Sequence, residues 1–148
     1  MTRGLCAAVI GFTLGVLTWP ATSLAATSKE VYELQERCGK RSEEFFERYY
    51  GNGILNTEDG TSITKYRNHY NTKLNKCFVL LSFQDIPHKD KSKRPSTSMT
   101  LLDINENREY AHFFQTVGEQ HPWLCEVVDK LCSSQGEWNS LVYPYMEE

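Results

Sequence analysis

Five cysteines constrain this chain more than any other feature: Cys6, Cys38, Cys77, Cys125 and Cys132. Cys6 lies in an apolar run from Leu5 to Trp19, behind Arg3 and ahead of Pro20 and Ser23-Leu24-Ala25. That order of charge, apolar stretch and small residues predicts an export signal over 1–25, cut after Ala25. The run falls short of the ~20 residues a spanning helix needs, and Gly11, Gly15 and Pro20 interrupt it, so no membrane span is expected after cleavage. Four cysteines then remain in residues 26–148. In a periplasmic or secreted chain an even set predicts two disulfides, with three pairings open. The short separation favours Cys125 with Cys132 across a hairpin. Cys38 with Cys77 would then pin the first helix to a central strand.

Residues 26–148 suffice for one domain with a modest core and are too few for two. Arg3 is the one charged residue in the signal, so cleavage moves the net charge from −3 to −4. A mildly acidic exported chain has no general attraction to nucleic acid.

Along the chain, Val31, Leu34, Cys38, Phe45 and Tyr49 fall near one face of a helix over 27–50, with Thr27 and Glu30 at capping-box spacing. Gly51-Asn52-Gly53 ends it. Residues 54–62 predict a loop around the Asp59-Gly60 turn. Residues 63–71 fit either a helix through Ile63, Tyr66, Tyr70 and Leu74 or an alternating strand. A turn at 71–73 feeding the apolar run Cys77–Phe83 favours the strand.

Residues 84–98 predict an exposed basic loop containing Pro87 and Pro95. Residues 99–104 and 109–116 bracket a hairpin turn at Asn105-Glu106-Asn107-Arg108. Residues 123–128 predict a strand, with a turn at Asp129-Lys130. Ser133 or Ser134 starts a closing helix with Trp138, Leu141 and Val142 inward, broken at Pro144. The tail beyond docks by Tyr145 and leaves its acids free. The fold class is therefore α+β: an N-terminal helix, a mainly antiparallel sheet of about five strands and a short C-terminal helix, braced by disulfides.

No reaction motif stands out. A redox pair needs two cysteines separated by two residues, and covalent haem attachment needs such a pair followed by histidine; neither occurs. His112, His121, Cys125 and Cys132 match no compact zinc spacing. No serine has the flanking glycines of a hydrolase elbow. Glu43, Glu44 and Glu47 read as a solvated helix face. His69 beside Cys77 suggests a base and nucleophile, but an oxidised cysteine supplies no thiolate. The chain therefore leans away from an enzyme, with no catalytic residue, metal or cofactor assigned. The polar aromatic stretch Tyr66, Asn68, His69, Tyr70 and Asn71 is the candidate binding segment, because tyrosine buries area while keeping a polar tip.

Through ELQERCGK near its start, HYNTKLNKCF from His69 to Phe78, and EWNSLVYPYMEE at its end, the chain resembles a family of small exported bacterial proteins of uncharacterised function. The resemblance implies export and a cysteine framework, and transfers no activity or ligand. The leading expectation is a non-catalytic periplasmic or secreted protein of the inhibitor or immunity type that binds an envelope or extracellular protein. The rivals are a small envelope enzyme with a site around His69, Tyr70 and Asn71, and a structural or stress-related envelope accessory. Target and oligomeric state are not legible.

Overall fold

The computed structural model describes residues 27–90 and 92–147, so the expected signal at 1–25 lies outside the described residues. The helix α1 (Ser28–Tyr50) begins where its capping box predicts. Thr27 Oγ1 accepts from the Glu30 backbone N–H, and the Glu30 carboxylate accepts from the Thr27 N–H. Those bonds hold the Glu30 carboxyl below its ordinary pKa. At the other end Gly51, at φ 58°, reverses the chain.

Seven strands follow in one antiparallel sheet, each beside its sequence neighbour: β1 (Ile54–Asn56), β2 (Gly60–Asn71), β3 (Lys76–Pro87), β4 (Ser96–Asp103), β5 (Arg108–Thr116), β6 (Leu124–Val127) and β7 (Lys130–Leu131). The helix α2 (Gln135–Met146) closes the chain. This is the expected α+β plan with two more strands than anticipated.

β3 organises the packing because alternate residues of a strand face opposite ways. Cys77, Val79 and Leu81 point towards α1, where they meet Cys38, Phe46 and Tyr66. Phe78 and Leu80 point the other way, into a core shared with Met99, Leu101, Phe113 and the α2 residues Trp138, Val142 and Met146. The indole N–H of Trp138 donates to the His112 carbonyl at 3.0 Å, so its burial leaves no unpaired donor. A bulge between Leu101 and Leu102 shifts the β4–β5 register. Opposite it, Tyr110 packs its ring against Phe78 and Tyr145.

Both disulfides pair as the spacing favoured, Cys38 with Cys77 and Cys125 with Cys132. They fit an oxidising compartment. None of the described helices is long and apolar enough to cross a membrane. The Cys38 bridge sets the rotation of α1: the buried line is Cys38, Ser42 and Phe46, while Tyr49 turns outward. Ser42 is accommodated because its hydroxyl donates to the Cys38 carbonyl at 2.6 Å.

Several expectations are corrected. Residues 54–62 are not all loop, since β1 folds back onto Thr61–Ile63. The loop read at 84–98 shrinks, because ladder bonds on both sides of β3 carry it through Gln84 and Asp85 to Pro87. Lys130 belongs to β7, and the turn is Val128-Asp129, with Val128 at φ 56°. Pro144 does not break α2, which continues to the buried Met146. Asn71 supports that end, its amide donating to the Pro144 carbonyl at 2.9 Å and reaching the Tyr145 carbonyl at 3.4 Å. Glu147 is not free, because it pairs with Arg67 at 2.6 Å.

The two bridges close loops of very different length, with sequence separations of 39 and 7. Loop-closure entropy assigns about 4 kcal/mol to the longer and roughly 2 to the shorter. Paired cysteine-to-alanine variants at 38 and 77 should therefore lose more denaturant stability than the pair at 125 and 132. Equal losses, or the reverse order, would contradict this.

Candidate interaction surface

β2 carries all five residues singled out from the sequence, and its alternation divides them. Tyr66, Asn68 and Tyr70 lie on the α1 face; His69 and Asn71 lie on the α2 face. The Tyr66 ring packs on Phe46, with centroids 4.5 Å apart. Asn68 is exposed and lies beside Gly39 of α1, where a Cβ would meet its amide nitrogen at an ordinary contact distance of 3.7 Å. Tyr70 is buried beside the Cys38–Cys77 bridge, and its hydroxyl donates to the Asn75 side chain. Asn71 is buried at the end of α2, with its carbonyl oxygen accepting from the Leu74 N–H at 2.9 Å. His69 is half-buried. Tyr70 therefore does not share a face with His69 and Asn71.

What unites the segment is the backbone. β1 pairs with β2 only at Thr61–Ile63, and the Thr64 N–H donates to the Gly53 carbonyl at 2.6 Å. Beyond Thr64 the outer side of β2 has no strand beside it among the described residues. Because Thr64 points its N–H away from β3, alternation points the N–H and C=O of Tyr66 and Asn68 outward as well. The amides of Lys65, Arg67 and His69 face β3, opposite Ser82, Leu80 and Phe78. Along this edge the outward N–H and C=O of Tyr66 and Asn68 are taken up by no strand among the described residues. Tyr70 is too buried to extend it.

Next to this edge, past the end of α1, Tyr49, Tyr50, Gly53, Ile54, Leu55, Ser62, Thr64 and Phe83 line an open hollow of about 330 Å³. Gly53 makes this arrangement possible. It lies at φ 76°, and a Cβ there would stand 2.3 Å from the Thr64 carbonyl oxygen. The rings of Tyr50 and Phe83 meet edge-on at 5.6 Å and form one wall. Tyr49, Ile54 and Leu55 are 65, 53 and 63 % exposed. On the other flank of α1, Arg41, Glu44, Arg48, Asn105 and Asn107 surround a polar hollow of about 400 Å³, with Arg41 donating to Asn105 at 2.6 Å.

The sequence does not show the first hollow, because residues 54–62 read as a loop and the helical period sets Tyr49 near the same face as Cys38 and Phe45. The signal available was Ile54-Leu55 standing between Gly53 and Asp59-Gly60.

Charges around the surface are uneven. Burial raises the Tyr66 pKa, and the nearby Glu43 and Glu47 carboxylates raise it further. Burial and then Glu109 do the same for Tyr50. At the far end of the strands Lys76 binds Asp103 at 2.8 Å and Glu106 at 2.6 Å. These bonds raise the Lys76 ammonium above its ordinary value. Cys125 and Cys132 are bonded to each other and offer no thiolate to a metal, and no cluster of three or more acidic, histidine or cysteine side chains with metal-holding geometry occurs among the described residues. No family model, curated protein or solved structure matches the chain.

The raised tyrosines give a signed prediction. A group whose folded pKa lies above its unfolded value contributes stability fully below the unfolded value and loses it as pH rises through the folded one. Tyr50 and Tyr66 start from 10.0, so unfolding free energy should decline above about pH 10. Tyr66→Phe should flatten that decline without abolishing it, since Tyr50 and Lys76 still titrate. Denaturant midpoints between about pH 9 and 11.5 test this, and identical slopes in variant and parent would contradict it.

Proposed function

We propose that this chain is a non-catalytic binding protein of the periplasm or extracellular space, of the inhibitor or immunity type, whose target is an envelope or extracellular protein. One observation carries the reading: two large apolar side chains, Tyr49 and Leu55, stand more than half exposed around a hollow built on fixed elements, and Ile54, exposed on the other face of β1, adjoins them. Single exposed apolar residues are ordinary, but a grouped set beside an aromatic wall resembles the centre of a protein interface.

The support is a rigid scaffold. The α1 helix is tethered by the Cys38–Cys77 bridge, and Phe46 and Tyr50 continue a ring stack towards Tyr66 and Phe83. A surface held in this way loses little entropy on binding. A reaction centre at His69, Tyr70 and Asn71 draws no support from a strand that sends Tyr70 to the opposite face. Asn71 is moreover engaged in holding the end of α2.

Site-specific photocrosslinking in cells that export the protein tests the reading. A photoreactive phenylalanine at Tyr49 or Leu55 should yield one discrete adduct with an envelope or extracellular protein. The same probe at Tyr143, which is similarly exposed on α2, should not. No adduct at either interface position, or the same adducts from all three, would overturn it.

A further inference from the structure

We infer that the outer edge of β2 from Lys65 to His69 receives an extended, basic segment of a partner protein by strand addition. The inference deepens the binding reading above and rests on it. The backbone dictates the shape of the occupant. Tyr66 and Asn68 each turn an N–H and a C=O outward, so the edge offers four hydrogen-bonding groups at strand spacing, and only an extended chain matches all of them. β1 begins at Ile54, and just before it the Gly53 carbonyl takes the Thr64 N–H. An incoming strand would therefore continue the line of β1, next to the exposed Ile54 and Leu55.

Charge selects the occupant. On the α1 face, Glu43 and Glu47 stand near Tyr66. A strand added at the edge places every second side chain on that face, so lysine or arginine at alternate positions meets carboxylates. On the opposite face Arg67 is already paired with Glu147, and Lys65 is exposed, which disfavours further cations there. The same charges argue against a second copy of this chain. Two β2 edges paired antiparallel about Arg67 would set Arg67 directly opposite Arg67, and like charges so placed are destabilising. Charged residues on an exposed edge are a common guard against self-pairing. Here they leave it open to a segment of complementary charge.

The test uses the oxidised protein and two seven-residue probes, Thr-Lys-Thr-Lys-Thr-Lys-Thr and its counterpart with glutamate for lysine, followed by amide NMR. The lysine peptide should shift the amides of Tyr66 and Asn68 and slow their hydrogen exchange, while the glutamate peptide at equal concentration should not. Asn68→Pro removes an outward N–H while leaving the ladder to β3 in place. It should weaken lysine-peptide binding by about tenfold or more. Should that variant not fold, Glu43→Lys combined with Glu47→Lys serves instead, and should abolish the preference for the lysine peptide.

Equal binding of both peptides, shifts confined to other surfaces, or no binding at about millimolar peptide would overturn the inference. So would concentration-dependent self-association through the same amides, which would assign the edge to a second copy. The crosslinking experiment separates the two proposals. If Tyr49 or Leu55 probes capture a partner and Asn68→Pro leaves capture intact, strand addition fails and the binding reading stands; absent adducts remove both.

Discussion

The structure depends on one strand being buried on both faces. From Cys77 to Leu81 every residue of β3 meets a packed layer, with odd-numbered side chains under α1 and even-numbered ones under α2. The two covering layers come from the two ends of the chain. The helix α1 precedes all seven described strands and α2 follows them. The Cys38–Cys77 bridge lies at the start of the doubly buried run and fixes both the position and the rotation of α1 on it. Once α1 is fixed over β2 and β3, the remaining strands follow as successive hairpins, and α2 covers Phe78, Leu101 and Phe113 from the other side.

Much of this plan was legible in the sequence. The capping box at Thr27, the glycines after Tyr50, the apolar run at Cys77 and the asparagine-rich turn before β5 each carry a local signal strong enough to stand alone. The disulfide pairing followed from loop length and from the helix-to-strand geometry it implied. Other features were hidden for physical reasons. β1 is three exposed residues long, so it has no apolar period to read and exists only because Gly53 and the Asp59-Gly60 turn lay it against β2. The ends of β3 and β4 are polar and are held by ladder bonds, which leave no mark on side-chain pattern. Pro144 reads as a stop, and only the distant Asn71 and the burial of Met146 carry the helix past it.

The candidate surface was half legible. The stretch from Tyr66 to Asn71 drew notice for its side chains, yet those side chains mostly serve the fold. Tyr66 packs on Phe46, Tyr70 fills the space beside the long disulfide, and Asn71 ties down α2. What is left over is main chain, which no composition or motif reveals. An unpaired edge is a property of topology: it arises because a twelve-residue β2 is flanked on one side by a three-residue β1. The exposed Tyr49 follows from the slanted buried line of α1, which runs through Cys38, Ser42 and Phe46 in steps of four and leaves Tyr49 beside it at the helix end. Both features lie next to each other, and the proposed binding role takes them together.

Site-resolved hydrogen exchange on the oxidised protein alone tests the open edge most directly. Within β2, the amides of Tyr66 and Asn68 should exchange far faster than those of Lys65, Arg67 and His69, which face β3, giving a two-residue alternation in a continuous strand. Uniformly slow exchange from Lys65 to His69 would mean that the edge is already occupied in the free protein, and would contradict the account.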